Sequence, residues 1–134
     1  MASGTGTYFA AKLLNQLFNA TVYTFVTNLD LRLFSTGGLT AAGAGTEVTG
    51  TGYAPFQVAC NVTNFAATTS NSIANSATMS FAAAGGAWTP AVTLGIYEHG
   101  NNNLIVFGDL AAQKTLSSGD VFQFTIGNLT ITQS

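Results

Sequence analysis

From Asn28 to the end of the chain, apolar residues recur at alternate positions, and turn-forming residues interrupt them about every 8–12 residues. Leu29, Leu31 and Leu33 alternate with Asp30, Arg32 and Phe34. A period of two places successive side chains on opposite faces, so this run reads as a strand with one apolar face. Tyr53 to Val62 reads as a second strand, with Pro55 marking an edge or a strand start. Ile73 to Phe81 alternates through Ile73, Ala77, Met79 and Phe81. Val92 to Tyr97 and Leu104 to Leu110 flank His99-Gly100-Asn101-Asn102, a strong hairpin turn. Val121 to Ile126 and Leu129 to Thr132 follow the turn Ser117-Ser118-Gly119-Asp120. Thr36 to Gly52, rich in Gly, Thr and Ala, reads as a long loop. Seven or eight short strands of this kind predict a mainly β fold, an antiparallel β-sandwich or jelly-roll-like domain spanning residues 1–134. Trp88, Ile96, Val106, Phe124 and Leu129 are the predicted core between two sheets.

One segment departs from this period. Between Tyr8 and Asn19, apolar side chains fall at Phe9, Leu13, Leu14, Leu17 and Phe18, the stripe of an α-helix over about residues 8–19. Lys12, Asn15, Gln16 and Asn19 take the other side, and Thr5 or Thr7 is placed to cap its start. The simpler expectation is a helix packed on the protein's own core. The sharper one is a helix docked on a partner or a neighbouring subunit.

Charge is scarce. Lys and Arg total 3, Asp and Glu total 5, and together they make 6% of the chain, against about 25% in an ordinary soluble domain. Three cations cannot neutralise a run of phosphates, which excludes a nucleic-acid module, and they cannot form a basic membrane-surface helix. Mean hydropathy is +0.35, so the chain is not a disordered one. The start Ala2-Ser3-Gly4-Thr5-Gly6-Thr7 has no basic region and no apolar stretch, and the expectation is a protein that does not use the secretory route. About eight tilted membrane strands would consume almost the whole chain, which argues against an outer-membrane barrel. Asn19, Asn61 and Asn128 open sequon-like triplets, read as chance matches in an Asn- and Thr-rich chain.

Chemistry-bearing residues are few. Cys60 is the only cysteine, which excludes an internal disulfide, and its apolar strand context predicts a small buried hydrophobe. His99, the only histidine, sits beside Glu98 in a predicted turn, where a solvated turn residue is the expectation over a general base. The carboxylates are Asp30, Glu47, Glu98, Asp109 and Asp120. No spacing brings two of them across one sugar cleft, and no loop gathers enough oxygens for calcium. Asp30 is expected to pair with a cation in the sheet, and Asp120 to serve its turn. Gly43-Ala44-Gly45 and Gly50-Thr51-Gly52 do not lie between a strand and a helix N-terminus, so they cradle no phosphate. Trp88, Tyr53 and Tyr97 would form a sugar platform if exposed, but aromatics in a β core are more often packing residues. No catalytic, cofactor-binding or metal-ligating residue is assigned, no cofactor is implied, and the expectation is that the protein is not an enzyme. A surface this poor in charge fits a subunit built for assembly, because charge depletion marks interface cores.

Several stretches bear a family resemblance. They are Gly45-Thr46-Glu47-Val48-Thr49-Gly50-Thr51-Gly52-Tyr53-Ala54, then Trp88 with Val92-Thr93-Leu94-Gly95-Ile96-Tyr97, then Asn103-Leu104 with Phe107-Gly108-Asp109-Leu110. Lys114-Thr115-Leu116-Ser117-Ser118-Gly119-Asp120 and Leu129-Thr130-Ile131-Thr132 complete it, with Lys12-Leu13-Leu14 and Leu31-Arg32-Leu33-Phe34 near the start. In their order and spacing these resemble a family of small tailed-phage virion proteins, often named tail fibre proteins, some of which look like capsid decoration or cement proteins. The family often continues from Tyr-Ala into a basic residue, where this chain has Pro55. The resemblance implies a β-sandwich virion component and no catalytic residues. Compactness and the lack of coiled-coil heptads favour a decoration protein on the capsid surface, assembled in the host cytoplasm, that binds the major capsid protein as a homo-oligomer, a trimer matching threefold shell positions. A small tail fibre or receptor-binding component is the alternative. The expected docking elements are Ala2–Thr7, the helix, and the 36–52 loop.

Overall fold

The computed structural model describes residues 3–132, and Met1, Ala2, Gln133 and Ser134 lie outside the described residues. The protein is mainly β, with antiparallel sheets and a single helix near the N-terminus. Its centre is the strand β2 (Asn28–Leu39), formed by the Leu29-Leu31-Leu33 alternation. The elements before β2 are β1 (Ser3–Thr5) and α1 (Thr7–Asn19). Those after it are β3 (Gly45–Glu47), β4 (Phe56–Ala59), β5 (Ser72–Ala74), β6 (Met79–Ser80), β7 (Ala91–Glu98), β8 (Leu104–Lys114), β9 (Gln123–Phe124) and β10 (Thr130–Thr132).

One six-stranded sheet runs β1-β8-β7-β2, and β3 and β4 share the far edge of β2. The β2–β7 register is regular from Leu29 opposite Glu98 to Phe34 opposite Thr93. This places Leu31, Leu33, Leu94 and Ile96 on one face, where Met79, Phe81, Trp88, Phe122 and Leu129 pack over them. Those covering residues come from loops and from two short ribbons, β5–β10 and β6–β9. The second layer of the predicted sandwich is therefore two ribbons rather than a continuous sheet. The opposite face carries a smaller cluster of Phe34, Leu39, Tyr97 and Leu104. Gly95 makes that cluster possible: a Cβ there would sit 2.7 Å from Leu39 and 2.8 Å from the Tyr97 ring.

Asn75 holds the two ribbons together. It is 2% exposed, its Nδ2 donates to the carbonyls of Ala77, Phe124 and Thr125, and its Oδ1 accepts from Leu129 N at 2.9 Å. Its backbone adds two bonds, Asn75 N to Leu129 O and Gly127 N to Asn75 O. It also splits the predicted 73–81 strand into β5 and β6, because bonds that would continue a ladder go instead to this residue.

Several expectations need correction. The 36–52 segment is not a long loop: β2 runs on to Leu39, which is 2% exposed, and pairs with β3, opposing Leu39 to Gly45. Gly37 and Gly38, read as loop residues, take positive φ within the strand. The part of Ala2–Thr7 that is described is committed to the sheet, since Ser3, Gly4 and Thr5 pair with Gly108, Phe107 and Val106. Only 56–59 of Tyr53–Val62 and only 123–124 of Val121–Ile126 are strand. Trp88, Ile96 and Leu129 are buried as predicted, whereas Val106 and Phe124 are half-buried beside a cleft of about 550 Å³ between β8 and β10.

Trp88 is 3% exposed and its indole N–H donates to Thr51 O at 2.9 Å. As the only tryptophan it reports the core directly. Trp88→Ala is expected to lower stability by about 3–5 kcal/mol, read as a fall in the thermal unfolding midpoint. In the unsubstituted protein, tryptophan emission is expected to be blue-shifted and resistant to acrylamide.

Candidate functional site

The structure brings most of the chain's chemistry to the β7–β8 hairpin and the N-terminal arm that lies on it. The arm begins where β8 bulges. Ile96 opposes Val106 while Tyr97 opposes Leu104, so Ile105 has no partner on β7. Its carbonyl accepts instead from Gly6 N at 2.6 Å. Gly6 is the N-cap of α1, and any larger residue would fail there, since a Cβ would lie 2.2 Å from Leu104 O. Neither Thr5 nor Thr7 caps the helix by a side chain. The helix ends at Ala20, whose φ of 51° is left-handed, and the N–H groups of Ala20 and Thr21 return to Asn15 O.

The following segment runs back beside α1. Tyr23 N donates to Gln16 Oε1 at 3.1 Å, and the rings of Tyr23 and Phe25 meet Phe9 edge-on at 6.0 and 6.4 Å. Tyr23 OH donates to Glu98 Oε2, and Asn103 and Asn101 donate to Oε1 at 2.8 and 3.3 Å. Glu98 is thus a buried anchor. Burial pushes its pKa up, but the hydrogen bonds from Tyr23, Asn103, Asn101 and Tyr8 outweigh that and hold it below its ordinary 4.5. Burial first, then the bond to Glu98, raises the Tyr23 phenol.

Beside this hairpin, buried Asp30 meets the Arg32 cation, as the sequence predicted, and the ring of His99. His99 Nδ1 lies 2.7 Å from Asp30 Oδ1, and Arg32 Nη2 lies 3.7 Å from Oδ2. Arg32 also donates to Asn102 Oδ1 and Asn101 O, both at 2.8 Å, and its guanidinium stacks 4.3 Å above Tyr97. His99 lies in the turn and is exposed, as the sequence predicted, and its ring is also paired with Asp30. No serine or cysteine among the described residues bonds to its ring. Asp30 and Glu98 project to opposite faces, because Asp30 opposes Tyr97 while Glu98 opposes Leu29.

The other candidates stand apart. Glu47 accepts from Tyr53 OH at 2.7 Å, Asp109 accepts from Thr93 at 2.7 Å, and Asp120 accepts from Ser117 N within its own turn. Cys60 is exposed at the end of β4, because the strand stops at Ala59; the predicted buried position is corrected. Trp88, Tyr53 and Tyr97 form no platform: Tyr53 meets Trp88 edge-on at 5.2 Å inside the core, and buried Tyr97 lies on the other face. Among the described residues no group of three His, Cys, Asp or Glu side chains has the spacing of a metal site, and no helix is long and apolar enough to cross a membrane.

What remains is surface. No residue of α1 is fully buried, so the helix does not serve the core as the simpler expectation had it. Phe9 and Leu13 are half-covered, whereas Leu14, Leu17 and Phe18 are 57%, 75% and 74% exposed. Val22 and Phe25 on the return segment are 85% and 55% exposed. The only charge on the helix is Lys12, which sits over the Tyr8 ring. Sequence patterning found this stripe but not its exposure, and it missed Asn75 and the Glu98 anchor entirely.

A β scaffold whose five Asp and Glu side chains bond to its own backbone and side chains, with an apolar helix displayed outside, has the make-up of a structural subunit. The chain belongs to the family described as Podophage GP4 fiber I protein gp80, whose model matches residues 4–132. It is thus a fibre-type structural protein of the phage virion, in agreement with the resemblance noted above. No match to a curated protein was found.

Because folding lowers the Glu98 pKa, its stabilisation is present above the ordinary value of 4.5 and is lost as pH falls through the lower, folded-state value. The unfolding midpoint is expected to fall on acidification below about pH 5, less steeply in Glu98→Gln. Tyr23→Phe is expected to cost about 1.5–3 kcal/mol at neutral pH and to weaken the same acid dependence. Thermal melts across pH 3–7, a range of about four units around the carboxylate value, measure both.

Proposed function

We propose that this protein is a subunit of a phage fibre and works by binding other virion subunits, without chemistry of its own. The observation that carries this is the apolar surface of α1, which faces solvent on a protein from a fibre family. Soluble monomers rarely leave such side chains grouped on one exposed element, and where they do the element is commonly a binding surface. The neutral exterior supports the same reading, because charges are depleted where subunits meet.

A second reading keeps the protein on the head as a decoration protein that cements the major capsid protein shell, as a trimer at threefold positions. The observation in its favour is the helix length. Among the described residues α1 has 13 residues, too few for the sustained heptads of a coiled-coil fibre shaft.

Immunogold labelling of intact particles separates the two. The fibre reading expects label on the fibres at the tail. Label spread over the head would establish the decoration reading in its place, and unlabelled particles would overturn both.

A further inference from the structure

We propose that the cleft between β8 and β10 takes an extended, uncharged segment of another virion component. The segment enters as an added strand along β10 and drops alternate aliphatic side chains into the cleft. The proposal rests on the reading of the chain as an assembly subunit and names the chemistry of one partner.

The cleft is a gap in the second layer. Val106 opposes Ile96 and Gly108 opposes Leu94, so this stretch of β8 shares the core face of the sheet. The ribbons bury Leu94 and Ile96 but leave Val106, Leu110, Phe124 and Ile131 half-buried around a space of about 550 Å³. Clefts that bind ligands span roughly 300–1,000 Å³. Gly108 keeps this one open. Its φ is not left-handed, and a Cβ there would meet only the Ser3 Cβ, at 3.6 Å. The fold therefore does not require glycine at this position, and a larger side chain would project into the cleft.

The strand β10 supplies backbone. Among the described residues it pairs with β5 alone. Asn75 N donates to Leu129 O, so Leu129 points its backbone at β5, and the alternation of an antiparallel ladder turns Thr130 and Thr132 the other way. The same alternation shows across β5, where Ala74, opposite Thr130, gives its carbonyl to Ala66 N. Thr130 and Thr132 are exposed and line the cleft. An open strand edge is a template for a further strand. Strand addition takes its affinity from main-chain hydrogen bonds and its specificity from pockets for alternate side chains, and both lie together here.

Charge decides the kind of segment. No Lys, Arg or His among the described residues lines the cleft, and its one ionisable side chain, Asp109, accepts from Thr93. An acidic side chain entering it would lose water with no cation to meet it. Aliphatic side chains lose nothing there and cover the four half-buried ones. Hydroxyls of Thr130 and Thr132 at the rim suit polar side chains at the outward positions of the same segment.

The test is an NMR titration of the isotope-labelled full chain with an N-acetylated, C-amidated heptapeptide of alternating threonine and valine. Binding is expected to shift the Thr130 and Thr132 amides and to slow their hydrogen exchange, with little dependence on salt. Gly108→Leu fills the cleft, and Thr130→Pro removes an edge donor while leaving the ladder with β5 intact. Each is expected to weaken binding at least about tenfold. Trp88 emission is expected to stay unchanged in both variants, and if Gly108→Leu disturbs it, Thr130→Pro carries the test. A peptide with glutamate in place of valine is expected not to bind. No amide shift at about 1 mM peptide, equal binding by the glutamate peptide, or a folded variant that binds as the unsubstituted protein does would overturn the proposal. Slow exchange of both amides without peptide would show the edge already taken, by the chain itself or by a second copy, and would overturn it as well. None of these outcomes depends on where the gold label falls on the particle.

Discussion

Each of the five carboxylates in this protein is bonded to another part of the same chain, and the rest of the structure depends on that constraint. Asp30 meets His99 and Arg32, Glu98 collects Tyr23, Asn101 and Asn103, Glu47 takes Tyr53, Asp109 takes Thr93, and Asp120 closes its own turn. Asp30 and Glu98 are buried, and a buried carboxylate is tolerated only when its lone pairs are met. That requirement fixes the hairpin after β7. Asn101 and Asn103 must turn back to Glu98, and Asn102 and the Asn101 carbonyl must reach Arg32. The polar tip of an ordinary hairpin becomes a knot of charge that joins β2, β7 and β8.

The same arrangement empties the exterior. With Asp30 and Glu98 buried and Arg32 laid over Tyr97, few ions are left to face water. A particle with so neutral a surface has little electrostatic defence against association. In a free protein this is a hazard, whereas in a subunit that is meant to pack it removes a cost.

Much of this was legible in the sequence, and the limits have physical causes. The β2 alternation, the 98–103 hairpin and the helix stripe are local patterns, and local patterns survive folding. Asp30 was readable because a carboxylate between Leu29 and Leu31 needs a cation. Asn75 was harder. It falls in phase with Ile73, Ala77 and Met79, but its partners at 124, 125 and 129 lie some fifty residues away, so nothing local pointed to it. The Glu98 anchor was missed for the same reason, because its partner Tyr23 is 75 residues distant. The 36–52 segment was misread because glycine in a strand looks like a loop. Gly37 and Gly38 bend β2 at positive φ, yet buried Leu39 keeps the strand in the sheet. For the α1 stripe both outcomes were legible, packing on the core or docking on a partner, but not the choice between them, since an apolar face has the same sequence in either case.

The two anchors of the N-terminal arm explain why that stripe remains outside. A short helix free to pivot would fold its apolar side down onto the nearest hydrophobic surface. Here the start of α1 is pinned by Gly6 at the β8 bulge, and the segment after it is tied to Glu98 through Tyr23. Phe9 and Leu13 are half-covered by the protein itself, and the second half of the helix stays exposed. Removing the Tyr23–Glu98 tie would release one end only, because β1 still pairs with β8. The arm is therefore held in a position in which its own chain leaves Leu14, Leu17 and Phe18 exposed.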